Sequence, residues 1–255
     1  MRRDPHGARV DLSGLIDLHC HVLPGVDDGA ADMADSIAMG RQADADGIAM
    51  ICATPHIRHD HSVPIDELAG RVQAVNREYE RAGLSVRVVQ GGEVSEEDAR
   101  TLVADELEQL ALGGGRWILV EPAPGPLSES LEETGSRLTA LGFRTLIAHP
   151  ERHLDSQAPD LLARLVQAGA LVQLTAQYLA DGHPAAVSEL AERGLVHVLG
   201  SDSHSASIGR PVRLTQGYER LAAVDALARH IDWIKRRAPQ AIVSGGAVKA
   251  PYRSR

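Results

Sequence analysis

The chain has 255 residues, long for one domain and short for two, so one sizeable core is the default. A hydrophobic fraction of 44 % with 24 % charged residues excludes a disordered or fibrous chain, and an aromatic fraction of 3 % leaves few platforms for stacking nucleic-acid bases. The formal charge of -9 repels phosphate backbones, so no nucleic-acid partner is expected, and two cysteines, Cys20 and Cys52, are too few for a disulfide scaffold or a thiolate zinc site.

Seven apolar, β-rich runs are read as strands, at 15–19, 48–53, 86–90, 117–120, 145–148, 170–174 and 196–200. Helical patterns lie between them at 33–45, 64–82, 96–107, 128–141, 161–168 and 185–193. Pro64 suits a first helical turn, Ser95 precedes an acidic one, and Gly47, Gly83, Gly169 and Gly194 close helices. Strict alternation of strand and helix implies parallel strands joined by right-handed crossovers. An open sheet gathers ligands at one switch point, whereas a barrel brings nearly every strand end to one mouth. Polar residues follow almost every strand here, so an α/β barrel of about seven strands is expected. One domain is expected, its core running from about 14 to 245 and followed by a loose basic tail over 246–255. No apolar run approaches the ~20 residues that cross a bilayer, and the amino terminus lacks the apolar stretch of a signal peptide. A cytoplasmic location without membrane insertion is the expectation.

The residues at the strand ends carry the chemistry. In Asp17-Leu-His-Cys-His21 the period of two puts His19 and His21 on one face of a strand, which is ligand spacing, and turns Cys20 to the other. Asp27 and Asp28 follow in an Asp-Asp-Gly turn. His56 ends Ala-Thr-Pro-His, Glu93 follows two glycines that let the backbone approach closely, and Glu121 ends an apolar strand where burial without a cation would be costly. His149 ends another such strand, and Asp202 and His204 repeat the i, i+2 spacing. Each signal is weak alone. Nine nitrogen and oxygen donors exceed what one ion of four to six ligands uses, so two or three divalent ions sharing carboxylates are implied, with manganese, iron, zinc or magnesium all compatible.

The strings DLHCHVLPGVDDG, ATPH, GGEV, LVEP, AHPER and SDSH, in this order, resemble the polymerase-and-histidinol-phosphatase (PHP) superfamily. More narrowly they are similar to its bacterial CpsB/CapC/YwqE branch of manganese-dependent protein-tyrosine phosphatases, over about residues 16–210. The resemblance implies a distorted (β/α)7 barrel with three metals. Its ligands carry over as His19, His21, Asp28, His56, Glu93, Glu121, His149, Asp202 and His204, with Asp27 the competing candidate for the turn ligand. It also implies phosphate binding by Arg152, in the HPER string, and by Arg210. Two departures stand out: Ser205 occupies a position where the family usually has Asn, and the stretch before Arg210 is one residue longer.

Four carboxylates against three divalent cations leave a positive pocket that suits a phosphate dianion, and the forks of Arg152 and Arg210 fit phosphoryl oxygens. Divalent ions acidify water near neutrality, so no covalent enzyme intermediate is needed. His204 or a metal-bound water are candidates for the general acid. The implied substrate is a phosphotyrosine protein, the tail of a bacterial tyrosine kinase that controls capsule or exopolysaccharide synthesis. The alternatives are a phosphoesterase for a small metabolite such as histidinol phosphate and a non-catalytic metal-loaded modulator of the kinase. Related proteins can be oligomeric, though the sequence shows no clear interface stripe. Cys52 to Arg58 matches the C-x5-R spacing of cysteine-dependent phosphatases, but Pro55 lacks an N–H and the loop has no glycine, so the match is read as coincidence. His59 and His61 are read as exposed loop residues. The only lysines, Lys235 and Lys249, follow the last strand, which removes any carboxylated lysine bridge or P-loop.

Overall fold

The computed structural model describes residues 2–3, 9–10, 14–61, 63–181 and 184–252, with the side chains of 2–3, 9–10 and 184–187 excepted. From Leu15 onward the strands are β1 (Leu15–Cys20), β2 (Ile48–Ala53), β3 (His56–Ile57), β4 (Arg87–Gln90), β5 (Glu93–Ser95), β6 (Trp117–Glu121), β7 (Arg144–Ile147), β8 (Leu171–Thr175) and β9 (Val198–Gly200). All pair in parallel, in a three-stranded sheet ordered β1-β2-β4 and a six-stranded one ordered β9-β8-β7-β6-β5-β3. The sheet curls until its last strand reaches its first: Cys20 bridges Ser203, Asp202 N–H donates to His19 O at 2.8 Å, and His21 N–H donates to Ser203 O at 2.9 Å. The result is a mixed α/β fold with a curled parallel sheet whose carboxyl edges face one opening.

Burial on both faces explains why these strands read as near-continuous apolar runs rather than alternating ones. Ile118 and Val120 of β6 join the larger cluster that packs against the helices, while Trp117 and Leu119 join a second cluster with Ile16, Leu18, Met50, Cys52 and Leu146. Ala238, Ile242 and Val243 of the carboxyl-terminal helix Ala238–Val243 complete that second cluster. The helices carry single apolar faces: α2 (Leu68–Arg81) buries Leu68, Val72, Val75 and Tyr79, spaced as one stripe of a 3.6-residue period. The first helix, α1 (Met33–Ala45), opens where the Asp32 carboxylate accepts from Asp35 N–H at 2.9 Å. It closes at Gly47, whose φ of +76° favours glycine.

The structure departs from the sequence expectation in four places. Two expected strands continue as separate short ones, β3 and β5, because Pro55 offers no N–H and Gly91-Gly92 pack their backbone against Leu112 and Leu110. The helix expected over 96–107 is a 3-10 turn, Asp98–Arg100, followed by a short helix, Ala104–Leu110. Further helices follow the last strand, among them Thr215–Ala222 and Ala238–Val243. Finally, Tyr252, within the expected loose tail, is anchored: its hydroxyl donates to Val196 O and its ring lies 5.9 Å from that of His197; residues 253–255 lie outside the described residues.

His197 is fully buried, its Nδ1 accepts from Val172 N–H at 3.1 Å, and its Nε2 has no hydrogen-bond partner among the described residues. Burial pushes its pKa down to about 3. The unfolded chain, with an ordinary histidine pKa of about 6.5, therefore binds this proton more readily. Stability is lost as pH falls below that value, until the folded state also protonates. Replacing it with asparagine, which keeps an acceptor for Val172 N–H, should flatten the dependence: between pH 6 and pH 4 the parent should lose about 2 kcal/mol more unfolding free energy than His197→Asn in urea titrations. Parallel curves would contradict the assignment.

Candidate metal centre

The nine donors expected from the sequence all converge at the carboxyl ends of the strands. His19 is the penultimate residue of β1, and His21 and Asp28 follow that strand. His56 and Glu93 lie past the ends of β2 and β4, where they open the short continuing strands β3 and β5, and Glu121 ends β6. His149 lies just past β7, and Asp202 and His204 lie just past β9. His149 and Asp202 are the non-glycine residues with positive φ among the described residues, at +30° and +50°. Such backbone costs about 1–3 kcal/mol per residue and persists where the surroundings fix it, commonly at sites. Here it turns both side chains inward from the strand ends.

Glu93 is the hub. Its Oε2 lies 3.2 Å from His19 Nε2, 3.2 Å from His21 Nε2 and 3.0 Å from His56 Nδ1, while its Oε1 lies 2.8 Å from His149 Nε2. His19 Nε2 and His21 Nε2 are themselves 3.2 Å apart. Donors about 2.0–2.1 Å from a shared ion stand about 2.8–3.4 Å apart at octahedral to tetrahedral angles. The triangle His19, His21 and Glu93 has those edges. Glu93 Oε2 and His56 Nδ1 are buried and face each other without making a hydrogen bond, as lone pairs do when both belong to one cation. Four overlapping groups have donor atoms within 4.8 Å of one another: His21, Asp28, His56 and His204; His19, His149 and Asp202; His19, His21 and Glu93; and His56, Glu93 and Glu121. The donor set thus fits more than one divalent ion, with shared carboxylate and imidazole residues.

The electrostatics point the same way. Burial disfavours charge on His21, yet the hydrogen bond to Asp27 and the adjacent Glu93 carboxylate outweigh it and hold its pKa up to about 10. His19 is likewise raised against burial, by Glu93 and Asp202. Burial alone would raise Glu93 and Asp202, but the surrounding imidazoles hold both well below the usual carboxylate range. The cage demands positive charge at its centre. His204 moves oppositely: burial and the neighbouring His21 bring it down to about 4, which leaves a neutral imidazole able to act as a ligand at pH 7.

The two adjacent aspartates separate cleanly. Asp27 is turned back into the protein, accepting from Gly29 N–H at 3.0 Å and His56 N–H at 2.9 Å and binding His21 Nδ1 at 2.8 Å. Asp28 points outward, 3.5 Å from both His56 Nε2 and His204 Nε2. Asp27 therefore orients His21, and Gln173 does the same for His19, its Oε1 3.0 Å from His19 Nδ1. Beneath them the buried Asp17 accepts from His19 N–H and Ser201 N–H, and burial pushes its pKa up to about 6. Asp27→Asn should weaken metal affinity about 10–100-fold in chelator competition while leaving the fold intact; unchanged affinity would remove Asp27 from this role.

Three guanidiniums stand over the cage and line, with its donors, a pocket of about 390 Å³. Arg152 pairs with Asp202 and lies 5.9 Å over the Tyr178 ring; Arg210 donates from Nε to Asp202 O at 2.7 Å, with Nη2 3.0 Å from Asp202 Oδ2. The third, Arg58, entered the sequence reading only through its spacing from Cys52. It grips Asp60 through two bonds of 2.8 Å and reaches Glu121 at 3.4 Å. Cys52 itself is buried in the apolar cluster below, its thiol pushed far up by burial, so Cys52 and Arg58 share no phosphate loop. His61, expected to be exposed, is half-buried and stacks on His56 at 5.3 Å. Gln173 was legible only as a polar residue inside an otherwise buried strand. A larger cavity of about 610 Å³, lined by Gly135, Phe143 and Leu165, contains none of these residues.

Comparison with known proteins places this geometry in a family. The chain is 34 % identical to the tyrosine-protein phosphatase YwqE of Bacillus subtilis over 206 residues, 75 % of this chain and 78 % of that protein. It is 25 % identical to the tyrosine-protein phosphatase CpsB of Streptococcus pneumoniae over 227 residues, 82 % of this chain and 90 % of that protein. Among solved structures it superposes with a TM-score of 0.82 and 26 % identity, over 94 % of this chain and 99 % of the other, on one from a study of YwqE and CpsB described as unique metal-dependent tyrosine phosphatases. The family model "Capsular polysaccharide synthesis, CpsB/CapC" matches residues 15–232, and the chain belongs to the CpsB/CapC family.

Proposed function

We propose that this chain is a metal-dependent protein-tyrosine phosphatase, using two or three divalent ions, manganese foremost, on a distorted (β/α)7 barrel of the PHP type. The observation that carries the reading is the convergence of nine nitrogen and oxygen donors on one opening overhung by three arginines. His19, His21, Asp28, His56, Glu93, Glu121, His149, Asp202 and His204 would hold the ions. Bound there, divalent ions would supply concentrated positive charge and an acidified water near neutral pH.

The chain's own residues do the rest. Arg152 and Arg210 brace Asp202, and both reach the pocket, where their N–H groups can fork onto phosphoryl oxygens as a lysine could not. Asp27 and Gln173 fix the tautomers of His21 and His19 so that both Nε2 lone pairs face inward. A phenolate, with a pKa of about 10, leaves with little help, so no strong protein acid is required. We assign a phosphotyrosine protein as substrate, the tail of a bacterial tyrosine kinase that controls capsule or exopolysaccharide synthesis, acting in the cytoplasm. The protein loaded with manganese should release phosphate from phosphotyrosine peptides with a kcat/KM at least about tenfold above that on histidinol phosphate. The reverse order would identify a metabolite phosphatase, and no release from either would identify a binding module.

A further inference from the structure

We propose that Ile208 is a specificity-determining residue: the apolar lip against which the ring of an aryl phosphate rests while its phosphoryl group is held below. The inference rests on the phosphatase reading of the same pocket. Among the described residues, every other side chain lining that pocket is a carboxylate, an imidazole or a guanidinium, and beside Ile208 stands only Gly209. Ile208 is 77 % exposed, and the other large exposed apolar side chains among the described residues, Val103 and Leu141, lie away from the pocket.

The loop that presents Ile208 is tethered on both sides. Asp35 Oδ1 accepts from Ala206 N–H at 3.0 Å, Gln42 Nε2 donates to Ala206 O at 2.7 Å, and on the far side Ser203 Oγ donates to Arg210 O at 2.7 Å. Gly209, with φ at +80°, makes the turn between Ile208 and Arg210. The apolar group therefore has a fixed place next to an arginine that faces the pocket. A phosphoryl group seated among the arginines must direct its ester oxygen outward, so the first atoms beyond that oxygen meet the rim. In a tyrosine ester those atoms are a rigid apolar ring; in a serine ester they are one methylene and then polar peptide backbone. Only the ring can cover isoleucine and remove apolar area from water.

The test uses the full chain with manganese and two peptides of identical sequence, one carrying phosphotyrosine and one phosphoserine. Ile208→Ser should lower the ratio of kcat/KM for the tyrosine over the serine peptide about tenfold, the scale of one apolar contact, while Ile208→Leu stays within about twofold of the parent. Inhibition by inorganic phosphate, which has no ring, should be alike in Ile208→Ser and parent. An unchanged ratio in Ile208→Ser would overturn the proposal, as would weakening of phosphate inhibition in step with peptide turnover, since the change would then lie in the anion site. If metal-loaded parent hydrolyses neither peptide, the phosphatase reading fails and this proposal falls with it, an outcome distinct from an active parent with an unaltered ratio.

Discussion

Glu93→Gln is expected to reduce phosphotyrosine turnover on the order of 10³-fold, about 4 kcal/mol in the barrier, and to lower the metal content of the purified protein. Glu93 carries both carboxylate oxygens into the cage, within 3.2 Å of His19, His21, His56 and His149. The amide keeps the size and one acceptor oxygen but removes the negative charge, and it turns an N–H toward imidazole nitrogens that must present lone pairs to a cation. The hydrogen bond to His149 and the negative charge that faces His19 and His21 would be lost together. Metal analysis separates this from misfolding: circular dichroism should match the parent while the metal-to-protein ratio drops. A variant with full metal content and full turnover would remove Glu93 from the centre of the account.

Chelation is the second large effect. Ligands that bind only the folded state stabilise it by mass action, about 4 kcal/mol at a thousandfold excess over Kd. For a chain of this size that corresponds to about 10 °C in Tm. Exhaustive dialysis against a strong chelator should abolish phosphate release and lower Tm by about that amount, and added manganese should restore both. Iodoacetamide should do neither. Cys20 and Cys52 are fully buried, and burial pushes both thiols well above their ordinary pKa, so no thiolate is available to a reagent or a substrate. Inactivation by alkylation with indifference to chelation would favour a cysteine mechanism, against the placement of Cys52 beneath the site.

The site was legible in the sequence wherever a ligand lay at a strand end, because such residues stand out against apolar runs: Glu121 after Trp117-Ile-Leu-Val and His149 after Thr145-Leu-Ile-Ala are of this kind. The choice between Asp27 and Asp28 depends on the turn itself, where Gly29 N–H and His56 N–H draw Asp27 inward and leave Asp28 facing the opening. Gln173 and Arg58 escaped for another reason. Gln173 meets His19 across 154 positions of chain, and Arg58 is aimed by Asp60 and Glu121 rather than by any local periodicity. The breaks that set off β3 and β5 follow from Pro55 and Gly91-Gly92, residues that interrupt a ladder without altering the apolar pattern around it. Tyr252 lay in a stretch that reads as polar and irregular, and only the fold places His197 and Trp233 under its ring.

The most direct test of the metal cage is elemental analysis of the protein purified without added metal, paired with phosphotyrosine turnover on the same sample. Two or three equivalents of a divalent transition metal or magnesium, with turnover rising and falling in proportion to that content, is the predicted result. Full turnover from protein holding far less than one equivalent would contradict it.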